Sequence, residues 1–377
     1  MLSDLGKTLD VAREDRALLD EACRLTDRLA DSLVTNGFAR HFVPTRWGGG
    51  AGTFTALLDA VSLLAETCAS TAWCAARYAA HGRLAAYLPE DGQQEVWGDG
   101  PDVCVAASVV PPQGSAVPVD GGWRLTGRWR MASGVDQADW VLLASWAPAD
   151  GDASADGDAP GGATEHRIFA VRRSEVKVLP TWRPVGMRGT GSNTVEADVL
   201  VPGHLSFSLR DLARVQPHAA RCHTVPFPLV AALIFAAPVL GAAEGALRSW
   251  WDEQAARTLP DNAVAAQQQV LARASAHIQC ARLLLERAAQ RADHAVVTPV
   301  LVAENQRDVV VAVELCGAAV DEIFRTAGSR ALDEDDALQR HWRDITTARA
   351  HGTLKFAPAA AHYADALRTA RAAEGAR

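Results

Sequence analysis

Trp73, Arg77 and His81 recur at four-residue spacing and so share one face of any helix that carries them. An indole, a guanidinium and an imidazole in a row could stack on an aromatic ring and orient it. The same mixed stripe is also common where subunits meet. Ser133 and Gly134 close the strand-like run GGWRLTGRWRMASG and read either as a strand-end turn or as a hydroxyl held at a fixed point. His351 stands before Gly352 and Thr353. With an unperturbed pKa of roughly 6.5, an imidazole there could take a proton from a phenol or hydroperoxide near neutral pH. It could equally cap the preceding helix C-terminus.

Other candidates are weaker. GMRGTGSN, Gly186 to Asn193, has three glycines but neither the Lys-Ser/Thr of a phosphate loop nor Rossmann spacing, so it reads as a tight structural loop. Cys222 and His223 adjoin, yet no CxxC or HxxxH set completes a metal site. No nicotinamide-binding fingerprint is visible.

These residues sit in three textures. From about 10 to 100, apolar residues recur at three- and four-residue spacing, which predicts helices interrupted by the loop HFVPTRWGGGAG, with Gly37 as a helix stop. From about 101 to 215, short runs such as VCVAASVV, WVLLASW and TVEADVLV predict a β domain. Its acidic stretch APADGDASADGDAPGGATE reads as a hairpin tip without function. From about 216 onward, long Ala-, Leu- and Arg-rich segments predict an antiparallel helical bundle.

A chain of 377 residues exceeds a single ordinary core, so two or three packed subdomains are expected. Hydrophobic residues at 49% and charged residues at 22% give a globular balance without a disorder signature. A net charge of -8, with arginines spread among acids, disfavours a nucleic-acid partner. The N-terminus lacks the basic-then-apolar order of a signal peptide and no run of about 18 apolar residues stands out, so a soluble, cytoplasmic protein is expected. The seven cysteines are odd in number and sit mostly in apolar stretches, as reduced core residues do.

Two segments sharpen this outline. GGWRLTGRWRMASGVDQADWVLL and WRPVGMRGTGSNTVEADVLVP resemble the β-domain signatures of acyl-CoA dehydrogenases and of the two-component, reduced-flavin-dependent monooxygenases that share their fold. With helical segments on both sides, the resemblance spans almost the whole chain. It implies an α+β, acyl-CoA dehydrogenase-like architecture: an N-terminal helical domain over 1–100, a middle β-barrel domain over 101–215 and a C-terminal four-helix bundle over 216–377.

The resemblance also assigns roles. Ser133 would sit beside the reactive edge of the flavin, Trp129 would flank the ring and Ser108 would touch it from the preceding strand. Arg257 would meet the flavin phosphate unless it is a solvated helix-end cation, and Gly328 and Ser329 would meet the cofactor of a neighbouring subunit. Trp73, Arg77 and His81 would wall the substrate chamber. QRHWRDITTARAHGTLKF resembles the segment in which many acyl-CoA dehydrogenases place their glutamate base just before a Gly-Thr turn, and His351 stands in that place. Between Val201 and Ala243, where the other family base occurs, there is no glutamate and only one aspartate, Asp211. The implied enzyme takes FMNH2 or FADH2 from a separate flavin reductase, forms a C4a-(hydro)peroxyflavin with O2, and hydroxylates a small aromatic or phenolic substrate. N- or S-oxygenation, or an acyl-CoA dehydrogenase-like oxidation, are the alternatives. A homotetramer is implied.

Overall fold

The computed structural model describes residues 5–149, 164–213, 219–255 and 261–375. The hairpin tip expected around 150–163 and Arg257 lie outside the described residues.

Six helices open the chain: α1 Gly6–Glu14, α2 Arg16–Ala22, α3 Asp27–Thr35, α4 Phe54–Ala65, α5 Ala69–Ala85 and α6 Glu90–Trp97. The side chains of Thr26 and Thr53 accept from Leu29 N and Ala56 N, so each caps a helix start. Gly37, at φ +81°, follows the end of α3 and lets the chain leave it. Helix α5 is the pivot. Ala, Cys, Gly and Trp surround its polar residues, and sixteen of its seventeen residues are buried, because it packs against other helices and a strand of the β part. Its arginines and histidine are therefore interior groups.

Eight strands follow: β1 Val105–Ser108, β2 Ser115–Val119, β3 Gly122–Ala132, β4 Trp140–Pro148, β5 Thr164–Arg172, β6 Lys177–Leu179, β7 Asn193–Pro202 and β8 Ser206–Ser208. They form two four-stranded sheets, β1-β4-β5-β8 and β2-β3-β7-β6, which make up the middle β domain. Trp123, Leu125 and Trp129 alternate inward on β3 and meet Val141, Leu143 and Phe169 of the other sheet in one core.

The last helices are α7 Arg221–Thr224, α8 Phe227–Ala255, α9 Asp261–His294, α10 Pro299–Thr326, α11 Ala337–Ala348 and α12 Phe356–Gly375. Helices α8, α9 and α10 pack on one another, α12 lies along α10, and α4, α5 and α11 pack against α8. Helix α8 is apolar and long enough to cross a membrane by composition, with mean hydropathy 1.9 over an 18-residue window, which the sequence reading overlooked. That window is 83% buried inside the protein, so α8 is the central core helix. All seven cysteines are free; five are buried, Cys23 is half-buried, and Cys280 departs from the core reading by facing solvent on α9.

Helix α11 is clamped to the β part through the Gly186 loop. Gly186 N donates to Thr347 Oγ1 at 3.0 Å, and Arg343 Nη1 donates to Val185 O at 3.0 Å. A Cβ on Gly186 would lie 2.2 Å from the Arg343 backbone carbonyl, which cannot swing aside. Gly186→Ala should therefore cost about 1–3 kcal/mol in a denaturant melt. A wild-type midpoint would show that the clamp is loose.

Candidate functional site

Ser133 reaches its place through a bulge. The β3–β7 register shifts between Trp129 and Ala132, and Met131 adopts φ +64°, a left-handed conformation that a non-glycine residue takes only under constraint. The strand leaves the sheet there and delivers buried Ser133 to α5. Ser108 braces the bend by donating from Oγ to Arg130 O at 2.7 Å. Gly134, at φ +72°, completes the turn under Tyr78, whose hydroxyl donates to Gly134 O at 2.9 Å.

Ser133 belongs to a chain of hydroxyls with a fixed direction. Thr190 Oγ1 donates to Met187 O at 2.9 Å, so its oxygen must accept from Ser192 Oγ at 2.7 Å. Ser192 has then used its hydrogen and must accept from Ser133 Oγ at 2.8 Å. Trp73 Nε1 donates to Ser133 Oγ at 3.0 Å. The chain runs from Trp73 through Ser133, Ser192 and Thr190 to the Met187 carbonyl. Ser133 is left with a spent hydrogen and one free lone pair. Ser192 and Thr190 come from GMRGTGSN, read from the sequence as a mainly structural loop; its two hydroxyls among glycines were the available signal.

His351 meets the same indole with its ring. Its ring stands 6.0 Å from Trp73 at 66° and stacks on Phe235 of α8 at 3.9 Å and 26°. Phe235, absent from the sequence candidates, is also 5.2 Å from Trp73. His351 Nδ1 accepts from Thr353 N at 3.3 Å, which caps the one-turn helix after it rather than the helix before it. Neutral His351 therefore carries its hydrogen on Nε2 and is a donor there. Burial, and secondarily the Arg77 charge, push its pKa down to about 4. This corrects the expectation of a histidine poised near neutrality: in the free protein it stays neutral from pH 5 upward.

His81 has the opposite tautomer. Its Nδ1 lies 2.8 Å from Val105 O, and a carbonyl only accepts, so Nδ1 carries the hydrogen and Nε2 keeps its lone pair. Burial and Arg77 lower its pKa to about 3. The Arg77 charge acts on both imidazoles, and its guanidinium stands 3.6 Å over Phe235 and 5.5 Å from Trp73. The structure thus brings Trp73, Arg77, His81, Ser133 and His351 into one region.

Three expected contacts stand apart. Trp129 is fully buried between the sheets, in phase with Trp123 and Leu125. Its N–H is committed to Ala144 O at 2.8 Å and its ring presses on Gly114, so it offers no face to a flavin. The Ser108 hydroxyl is spent on the Arg130 carbonyl. Gly328 and Ser329 lie exposed between α10 and α11, with no contact to the Trp73 region among the described residues.

The donor set fits a reduced flavin. Reduced flavin carries hydrogen on N5, whereas oxidised flavin presents a lone pair there, and Ser133 Oγ is an acceptor in this hydroxyl chain. A carboxylate base of the dehydrogenase type is missing: the first glutamate of α8, Glu244, is locked to Arg282 at 2.6 Å. Among the described residues no cluster of three metal-ligating side chains occurs.

Comparison with known proteins agrees with this chemistry. The family model described as "Acyl-CoA dehydrogenase, C-terminal domain" matches residues 233–356. The chain is 29% identical to the flavin-dependent monooxygenase oxygenase subunit HsaA of Mycobacterium tuberculosis, covering 93% of this chain and 91% of that protein. It is 30% identical to a pigment production hydroxylase of Rhodococcus sp., covering 90% and 87%. It is 28% identical to the oxygenase component of the FADH2-dependent resorcinol hydroxylase of Rhizobium sp., covering 92% and 88%. Among solved structures, XiaF from Streptomyces sp. in complex with FADH2 and glycerol superposes with TM-score 0.90 at 25% identity, over 98% of this chain and 94% of that one. With an imidazole, His351, before the Gly-Thr turn where the dehydrogenases carry a carboxylate base, and with these relatives along nearly its whole length, the chain belongs to the oxygenase components of two-component flavin-dependent monooxygenases, built on the acyl-CoA dehydrogenase fold.

Proposed function

We propose that the chain hydroxylates a small phenolic or related aromatic compound at the Trp73 region. One observation carries this reading: Trp73 touches Ser133 from the β part with its N–H and faces His351 from the C-terminal helices with its ring. A hydroxyl acceptor and an imidazole donor thereby converge on an aromatic wall from two parts of the chain.

When bound, the reduced flavin supplies the activation of O2. The protein's own groups divide the remaining work. Ser133 Oγ, as an acceptor, would take a hydrogen bond from the reduced cofactor and so favour it over the oxidised form. His351 Nε2–H donates toward the oxygen to be transferred. His81 Nε2, with its lone pair free, would accept a hydrogen bond from a substrate hydroxyl and so orient the ring. Trp73 and Phe235 exclude water and stack on the substrate. The resorcinol hydroxylase relative makes phenols the first compounds to try.

The test supplies purified protein with photoreduced FAD or FMN in air and a panel of phenols, and looks for products with one added oxygen. A tightly held yellow flavin that acyl-CoA thioesters bleach without air would overturn the reading. We further assign the protein a homotetrameric state, with Gly328 and Ser329 on the exposed surface available to a neighbouring subunit. Sedimentation at micromolar concentration should give a tetramer; a monomer would contradict it.

A further inference from the structure

We infer that Arg77 is a specificity-determining residue that pairs with an anionic oxygen on the aromatic substrate, either a carboxylate or an ionised phenol. This rests on the proposed reading of the Trp73 region as the substrate chamber.

Helix α5 supplies its own control. It buries two arginines one and a half turns apart, Arg77 at 6% exposure and Arg83 at 2%. Arg83 is anchored on backbone carbonyls: Nε donates to Cys222 O and Nη2 to Val225 O, both at 2.5 Å. Arg77 is not. Its Nε and Nη2 are buried with no hydrogen-bond partner, and no carboxylate pairs with it among the described residues. Its neighbours are the ring of Phe235, the indole of Trp73 and the two imidazoles that it depresses.

A guanidinium cannot shed its proton as a buried lysine does, because its ordinary pKa is too high. Burial lowers the Arg77 pKa only to about 9, so it stays cationic at neutral pH. Faces of aromatic rings recover part of the lost hydration through their quadrupoles, but they leave the in-plane N–H donors unused. Those donors form a fork that matches two oxygens of a carboxylate or one phenolate oxygen. A buried, charged, half-satisfied group in a native protein calls for a partner that arrives later.

Pairing would also act on the histidines. After burial, the Arg77 charge is the cause that lowers both His81 and His351. An anion on Arg77 cancels that effect and raises the basicity of His81 when substrate is present. The guanidinium thus links the charge of the substrate to both imidazoles.

The test measures binding by quenching of tryptophan fluorescence, in wild type, Arg77→Met and Arg77→Lys. The probes are 4-hydroxybenzoate against its neutral isostere 4-hydroxybenzamide, and 4-nitrophenol, whose yellow phenolate band reports its ionisation when bound. The expected result is at least a tenfold preference of wild type for 4-hydroxybenzoate over the amide, or a clear shift of bound 4-nitrophenol toward phenolate. The first outcome assigns a carboxylate and the second a phenolate. Either effect should vanish in Arg77→Met and return in part in Arg77→Lys. Met fills the same volume without a buried charge, and a melting temperature no lower than wild type verifies that the variant folds. Equal binding of all probes, or a preference that survives in Arg77→Met, would overturn the proposal. So would loss of reduced-flavin affinity in Arg77→Met with the probe preference intact, which would assign the guanidinium to the cofactor. Oxygenation of phenols by wild type without any anion preference would sink this inference alone. Failure of wild type to oxygenate any phenol would instead strike the functional reading beneath it.

Discussion

His351→Ala is expected to lower product formation by about 10²-fold, the usual scale for a positioned proton donor or acceptor. The reduced flavin should still be consumed by O2 in this variant, with hydrogen peroxide replacing the oxygenated product. Thermal stability should change little, because His351 is half-buried in a loop and makes one weak cap. Its role as donor rather than base is separable. Nδ1 accepts from Thr353 N, so Nε2 presents a hydrogen. His351→Gln places an amide N–H near the same reach and should recover part of the product yield. His351→Glu offers only an acceptor when ionised and should not. Equal recovery by Glu and Gln would make the imidazole a base, and wild-type yield in the alanine variant would reduce it to a cap.

The pH dependence follows with its sign. A folded pKa of about 4 lies below the unfolded value near 6.5, so His351 remains neutral and competent from neutrality down to about pH 5. Yield should therefore hold between pH 7 and 5 as far as His351 is concerned, and a loss centred near pH 6.5 would show an imidazole in contact with water.

Ser133→Ala should have the second largest effect, lowering product per reduced flavin about tenfold or more and leaving the Trp73 N–H without its acceptor. Ser192→Ala tests the direction of the hydroxyl chain. With Ser192 gone, the Ser133 hydrogen loses its acceptor and becomes free to point at a ligand. The preference for reduced over oxidised flavin should then shrink, as oxidised N5 gains a donor. Ser192 does not touch the reacting atoms and acts only through Ser133, so a merely structural role would lower both affinities together. Unchanged preference with intact folding would show that the chain is not polarised as derived.

Much of this was legible in the sequence. The order of helices, strands and helices follows from hydrophobic period, and the four-residue recurrence of Trp73, Arg77 and His81 placed them on one helix face. The resemblance picked out Ser133 and His351, which the structure sets against one indole. What stayed hidden was tertiary. The resemblance set Trp129 beside the flavin, whereas the strand buries it between the sheets, and only the bulge at Met131 shows where the strand changes phase to release Ser133. Phe235 sits among apolar residues of α8 and carries no local mark of its contact with His351 and Arg77. The shift of His351 away from neutrality depends on burial and on a charge 274 positions earlier, that of Arg77. Ser192 and Thr190 gain meaning only once Ser133 is seen beside them.

The most direct test of oxygen transfer at this site uses isotopically labelled O2. Photoreduced flavin, protein and a phenol are mixed without any reductase under ¹⁸O2, and the product is analysed by mass spectrometry in wild type, Ser133→Ala and His351→Ala. The expected result is one labelled oxygen in the wild-type product, with label lost to hydrogen peroxide in both variants. Unlabelled product, or label incorporated equally in all three proteins, would contradict the assignment of this chemistry to Ser133 and His351.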